Sequence, residues 1–426
     1  MANVAPHHRP PHRVGQWLPS DQSAVETWLA NLIDEVDGDH GGRRARPLHP
    51  VIEDLKTLIE SDAEIYMLFH QMFEQVPHRP PYNNDPTGKP QVRDYHLMLR
   101  LLNAIMTRAP AFNKTDLVGF PINAILDWPM GTGGGFTAFL NDKVNARFRA
   151  MLDAWAIFLR SPDSTHVLNT DPVSGWFGRD AMEAMPNFDK TFLCDPVAPH
   201  HGFTSWDDFF TRRFRPGVRP VAAPHDDAVI VNACESSPYR LAANVKARDR
   251  FWIKAQPYSL EHMLAGDALA PKFVGGTVYQ AFLNALSYHR WHSPVSGTIV
   301  KAYVQPGTYY SETPAEGFDP AGPNESQAYI TEVATRAMIF IQADNPAIGL
   351  MCFMPVGMAE VSTCEITVYE GQHVKKGDQL GMFHFGGSTH CLIFRPEVKL
   401  EFDLHGQKPG LDSKNIPINA RIATVL

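Results

Sequence analysis

Three segments of this 426-residue chain carry side chains that together could make an activated nucleophile. Phe383-His384-Phe385-Gly386-Gly387-Ser388-Thr389 places a serine behind two glycines, where backbone can approach the hydroxyl without side-chain obstruction. Tyr288-His289-Arg290-Trp291-His292-Ser293-Pro294 supplies two histidines, and imidazole titrates near neutral pH, as a general base must. Ala233-Cys234-Glu235-Ser236 closes a predicted strand with a single acid. Serine, imidazole and carboxylate are the parts of a nucleophile, its base and an orienting group. Taken singly, each has a plainer reading: a tight turn for the glycines, and a hydrogen-bonded core role for either histidine.

Other segments carry less chemistry. Gly131-Thr132-Gly133-Gly134-Gly135 lacks the preceding strand and following Lys-Ser/Thr of a phosphate cradle and reads as a flexible interhelical loop. The run Glu370 to Leu380 looks like half of a lipoyl or biotinyl barrel, but no exposed hairpin lysine completes it, so a pair of β-turns is favoured. His289 and His292 stand three apart, yet Pro294 opposes a helix there and no third ligand follows at metal spacing, so no metal is expected.

The elements that must bring these segments together divide in two. Residues 1–15, rich in His, Pro and Arg, read as a flexible tail without the apolar stretch of a secretory signal. Over 16–185 apolar residues recur at helical spacing. Val51, Ile52, Leu55, Leu58, Ile59, Ile65, Leu68, Phe69, Met72 and Phe73 form one stripe; Tyr95 to Met106 and Val144 to Leu159 form two more. Thr204 with Asp207, or Ser205 with Asp208, could cap a short helix. Beyond Pro220 short β-rich runs alternate with turn residues: Ala228 to Ala233, Gly276 to Leu283, Gly297 to Val304, Ala337 to Ile341, Ile348 to Pro355 and Glu360 to Val368. Ser259 to Leu264 reads as a helix and Tyr309 to Gln327 as a long loop. The fold class is therefore α+β, a helical N-terminal domain over 16–185 followed by a mostly β domain over 186–426.

Composition limits the partners. Thirty-eight Lys+Arg against 46 Asp+Glu leave a net charge of −8, which disfavours a dedicated nucleic-acid binder. No apolar run approaches the roughly 18 residues of a spanning helix, so stable membrane insertion is not expected. Five scattered cysteines without a C-x-x-C pair read as reduced thiols of a cytoplasmic protein.

In combination, these segments resemble the pyruvoyl-dependent phosphatidylserine decarboxylase family. Four stretches carry the resemblance, in family order. They are Asp207-Asp208-Phe209-Phe210-Thr211-Arg212-Arg213-Phe214-Arg215 with Arg219-Pro220; the strand ending in Glu235 with Ile253-Lys254 and Tyr258-Ser259-Leu260; Tyr288 to Gly297; and Gly381-Met382-Phe383 with Phe385 to Thr389. The family's usual carboxylate is Asp in Pro-Ala-Asp-Gly, whereas here it is Glu235 in Ala-Cys-Glu-Ser. That departure, the helical N-terminal domain and the missing membrane segment are similar to the soluble fungal branch, which includes L-tryptophan decarboxylases.

The resemblance implies a chain that cuts itself. Ser388, deprotonated by a His292 that Glu235 orients, would attack the Gly387 carbonyl. Elimination would leave a β chain ending at Gly387 and an α chain whose first residue, once Ser388, is a pyruvoyl group. That group is the implied cofactor, an electron sink as carbon dioxide leaves an amine substrate. His289 is expected to position the substrate or supply a proton. Phe383, His384 and Phe385 precede the pyruvoyl position and are candidates to line the pocket. A free aromatic L-amino acid, L-tryptophan giving tryptamine, fits a chain without a lipid anchor better than phosphatidylserine does. Phosphatidylserine decarboxylation and a non-catalytic binding protein on the same fold remain the alternatives. The helical domain is expected to cap the site and exclude lipid. The implied partners are a small-molecule amino acid and the chain's own two fragments, with a homodimer left open.

Overall fold

The computed structural model describes residues 22–38, 46–78, 82–83, 90–112, 120–249, 258–284, 286–313, 326–361, 363–385 and 388–426. The tail expected over 1–15 lies outside them. The helical part contains α1 (Gln22–Gly38), α2 (Pro50–Ser61), α3 (Ala63–Glu74), α4 (Tyr95–Ile105), α5 (Pro121–Met130), α6 (Gly133–Leu140), α7 (Asp142–Leu159) and α8 (Arg179–Ala184). Next come α9 (Phe188–Thr191), α10 (Trp206–Phe210), β1 (Val229–Val231), β2 (Ser237–Ala243), α11 (Leu260–Met263), β3 (Thr277–Leu283), β4 (Arg290–His292) and β5 (Gly297–Gln305). The chain ends with α12 (Gln327–Val333), β6 (Arg336–Ala343), β7 (Leu350–Gly357), β8 (Thr363–Ile366), β9 (His373–Val374), β10 (Gln379–His384), β11 (Ser388–Phe394), β12 (Leu400–Phe402) and β13 (Arg421–Val425). Among the described residues no helix is long and apolar enough to cross a membrane.

The α+β expectation holds, with local differences. The single stripe from Val51 to Phe73 is two helices, because Asp62 ends α2 and its side chain caps α3 by accepting from the amides of Glu64 and Ile65. The glycine run expected to be a flexible loop instead starts α6, capped by Thr132. A Cβ at Gly134 would lie 2.8 Å from the Met72 amide, and one at Gly135 2.0 Å from the Pro129 carbonyl. Those glycines serve close packing of α6 on α3 and α5. Of the two capping boxes, Ser205 is the N-cap of α10, while Asp208 reaches back to the Thr204 amide and hydroxyl. Of the long loop expected over Tyr309 to Gln327, Tyr309 and Tyr310 are buried and Gln327 already starts α12, while 314–325 lie outside the described residues.

Three antiparallel sheets follow. The largest has the order β2-β3-β11-β7-β6-β5-β9, so β11 is interior and β7, buried along its whole length, lies beside it. A small sheet, β4-β10-β8, covers one face of it. Trp291, Leu380 and Phe383 of the small sheet share a buried cluster with Tyr279, Leu283, Phe353 and Leu392 of the large one. The third sheet is β1-β13-β12. The helical part joins the sheets through a shared core that contains Trp155, Trp206, Tyr310 and Phe385. Polar ties cross it as well: the Tyr309 amide donates to Asn145, and the Asn123 amide to Glu360.

Candidate active site

Ser388 sits where the chain crosses between sheets. β10 ends at His384 in the small sheet and β11 begins at Ser388 in the large one. Gly386 and Gly387 lie outside the described residues. Phe385, just before them, has a left-handed backbone with φ of 32°, uncommon for a bulky side chain. Its ring is held edge-on against Trp155 at 4.7 Å and Trp206 at 4.6 Å, packing that fixes the start of the crossing. Ser388 pairs with Leu283 of β3 on one side and Gly357 of β7 on the other. It is fully buried, and among the described residues its hydroxyl has no hydrogen-bond partner. A buried hydroxyl left unpaired costs stability, so the position is better explained by reactivity than by folding.

The histidines lie on the strand beside β10. β4 runs antiparallel to it, with Arg290 opposite Met382 and His292 opposite Gln379. The His289 carbonyl accepts from the Phe383 amide at 2.9 Å, which puts His289 at the end of the ladder nearest the crossing. The His289 ring is buried and stacks on Phe210 at 4.1 Å. Trp291 faces the large sheet, packing on Phe353 and Phe383, so strand alternation turns His292 to the opposite face. There Nε2 of His292 lies 3.0 Å from the Tyr288 hydroxyl. Burial pushes the His292 imidazole down to about 4, against the opposing influence of the Gly377 backbone. The ring is thus neutral, and a base, at physiological pH. The turn beside it is fixed by Gly377, whose amide donates to the Ser293 carbonyl while the Ser293 amide donates to Asp378. In that same turn the Lys376 ammonium is anchored by the carbonyls of Ala223, Asp226 and Val229, a structural role in line with the β-turn reading of this run.

Glu235 is placed differently from the sequence expectation. Its carboxylate accepts from Arg219 Nε at 3.2 Å and Nη2 at 2.6 Å, and from the Ile418 amide at 2.7 Å. Among the described residues it makes no hydrogen bond to His292, nor does His292 make one to Ser388. Electrostatics explains the difference: Arg219 is the nearest cation, and a bidentate guanidinium is a stronger partner for a carboxylate than a neutral imidazole. Tyr288 instead meets His292, a contact that no spacing or residue type singles out although Tyr288 is four residues away in the same motif.

The three proposed pocket residues are occupied by packing and hydrogen bonds. Phe383 stacks edge-on to Trp291 at 4.8 Å, and Phe385 is wedged between tryptophans. His384 bridges two carboxylates, with Nδ1 2.9 Å from Asp207 and Nε2 2.8 Å from Glu365. Both ring nitrogens therefore face acceptors, and the side chain ties β10 to α10 and β8. Among the described residues no group of three or more His, Cys, Asp and Glu is arranged to hold a metal ion.

Comparison with known proteins covers nearly the whole chain. Two family models described as phosphatidylserine decarboxylase match residues 49–185 and 206–410. An L-tryptophan decarboxylase of Psilocybe cyanescens is 38% identical over 96% of this chain and 94% of the relative. Another, of Psilocybe cubensis, is 37% identical over 92% of this chain and 91% of the relative. Decarboxylase iboD of Amanita muscaria is 43% identical over 72% of this chain and 91% of the relative.

Proposed function

Since this chain belongs to the phosphatidylserine decarboxylase family and is a decarboxylase, we propose that it processes itself at Gly387–Ser388 and decarboxylates a free aromatic L-amino acid, L-tryptophan to tryptamine. The observation that carries the reading is the buried, unpartnered Ser388 hydroxyl at the first position of an interior strand. Relatives named L-tryptophan decarboxylase that align through the helical part as well as the sheets support the substrate.

In the proposed processing, Ser388 Oγ gives its proton to a neutral histidine, for which His292 is the candidate, and attacks the Gly387 carbonyl carbon. The C–N bond breaks as nitrogen takes up the proton, leaving an ester between Gly387 and Ser388. Loss of the Ser388 Cα proton then breaks the Cβ–O bond and frees the Gly387 carboxylate. Water replaces the nitrogen on the unsaturated residue, giving a pyruvoyl group and ammonia. Ser388 fits that origin because no described residue hydrogen-bonds its hydroxyl. When present, the group supplies an electron sink for carbon dioxide loss. Glu235 acts in this reading by holding Arg219 and the Ile418 segment, and His289, at the end of the ladder nearest the crossing, positions substrate or delivers the proton to its Cα. The fragments 1–387 and 388–426 stay together because β11 is hydrogen-bonded to β3 and β7 on both sides. Trp155 of α7 packs on Phe385, just before the crossing, an arrangement suited to a small substrate rather than a lipid in a bilayer.

The test is a substrate panel: L-tryptophan, L-tyrosine, L-phenylalanine and phosphatidylserine liposomes. Tryptamine is the expected product. Turnover of liposomes and of no free amino acid would overturn the reading.

A further inference from the structure

The residue after Ser388 is held by a polar lock on the far side of the sheet. Alternation along β11 turns Thr389 away from the face that Ser388 occupies. Its hydroxyl donates to the Ala281 carbonyl at 3.0 Å and accepts from Gln280 Nε2 at 3.1 Å. Gln280 is itself fixed. Its Nε2 also donates to the Gln327 carbonyl at 3.0 Å, and its Oε1 accepts from the Tyr258 hydroxyl at 2.5 Å. A carbonyl can only accept, so the amide has one orientation here. Gln280 and Thr389 are both fully buried. In register Gln280 stands opposite Cys391, which makes Thr389 its diagonal neighbour across the β3–β11 pair.

Resting on the self-processing reading, we infer that Gln280 is a positioning residue: through Thr389 it holds the new chain end, and the group made from Ser388, in place after the chain is cut. Before cleavage residue 388 is tethered on both sides. Afterwards its only covalent link is the Thr389 nitrogen, and strand ends fray readily. The side-chain bonds of Thr389 fix the orientation of that nitrogen, and so the direction in which residue 388 points. A displacement of about 1 Å at a reacting group can cost about a hundredfold in rate. Among the described residues no member of the lock hydrogen-bonds Ser388 Oγ, so it acts on the cut enzyme rather than on the cutting.

The full-length chain and its Thr389→Val, Thr389→Ser and Gln280→Leu variants test this. Three readouts are taken: fragment masses, the rate at which phenylhydrazine labels the smaller fragment, and kcat and KM with L-tryptophan. Thr389→Val is close to isosteric and removes only the hydroxyl. It is expected to cut as wild type does, to label at an altered rate, and to lose kcat by about 10- to 100-fold with KM within about twofold. Gln280→Leu follows the same pattern and Thr389→Ser recovers most of the rate. Should Gln280→Leu fail to fold, the Val and Ser pair decides alone. Wild-type labelling and kcat in Thr389→Val overturn the inference, as does a Thr389→Ser variant as impaired as Thr389→Val. A wild-type chain that never cuts takes the self-processing reading down with it; a cut, active wild type matched by Thr389→Val removes this inference only.

Discussion

The Tyr288 hydroxyl and Nε2 of His292 lie 3.0 Å apart in a pocket that keeps both neutral, the phenol pushed up to about 12 by burial and the imidazole down to about 4. A phenol oxygen can accept from Nε2–H, which leaves Nδ1 with the free electron pair. Tyr288 then does for the ring what a carboxylate does in a serine triad, fixing its tautomer and direction.

Two outcomes follow for self-cleavage. Tyr288→Phe should slow it about tenfold, the loss of one orienting hydrogen bond at a reacting base. The rate in the wild type should be flat from about pH 5 to pH 8 and fall below about pH 4, since His292 must be neutral to take a proton. A stopped time course of fragment formation on denaturing gels, across that range, measures both. The same depressed value makes His292 stabilising above its ordinary 6.5, a contribution lost as pH falls through about 4.

Glu360 offers a test on stability alone. It is buried in the short 3-10 turn Ala359–Val361 that follows β7, against the start of α5, where Oε1 accepts from the Asn123 amide at 2.8 Å. Burial raises its carboxyl from 4.5 to about 8, with the Asn123 and Ile122 amides pulling the other way. A raised acid favours the folded state most when protonated. Its contribution is complete below about pH 4 and is lost as pH rises through about 8. Glu360→Gln keeps an acceptor for Asn123 and removes the titration. The Tm of the variant relative to wild type should therefore increase between pH 5 and pH 9; a constant difference would show that the carboxyl is ionised throughout.

His384 separates packing from recognition. Replacing it with leucine removes one hydrogen bond from Asp207 and one from Glu365, each worth about 1 kcal/mol. Glu365 is half exposed, so water can replace its bond, while Asp207 keeps Arg160 at 3.6 Å. The expected result is a lower Tm and slower self-cleavage, with KM for the amino acid unchanged in the fraction that is cut. A raised KM with normal Tm and processing would restore His384 to the substrate pocket.

How much of this was legible beforehand differs by residue. Strands such as Gly276 to Leu283 and Ile348 to Pro355 announce themselves because both faces of an interior strand are apolar. Residue type and motif mark Ser388, His289, His292 and Glu235, and these identify chemistry but not pairing. Glu235 bonds Arg219, sixteen residues away, and the Ile418 amide, far off in sequence, contacts that only the closed fold creates. The helix at Gly133 was hidden because glycine has poor helix propensity, and only contact with Met72 and Pro129 explains its use there. Phe383 and Phe385 sit in sequence next to the reactive serine, yet tryptophans from distant segments, Trp291 for one, Trp155 and Trp206 for the other, claim their rings. The Gln280–Thr389 lock left no trace in sequence, since a lone buried glutamine in a strand has no pattern of its own.

Everything turns on whether the bond before Ser388 breaks. Denaturing mass spectrometry of freshly purified wild-type chain, beside Ser388→Ala, measures it directly. Self-processing predicts two wild-type species, 1–387 and 388–426, the smaller beginning with a residue that has lost its amino nitrogen and gained a carbonyl, while Ser388→Ala stays whole and inactive. A wild-type chain that remains a single full-length species while still decarboxylating its substrate would contradict it.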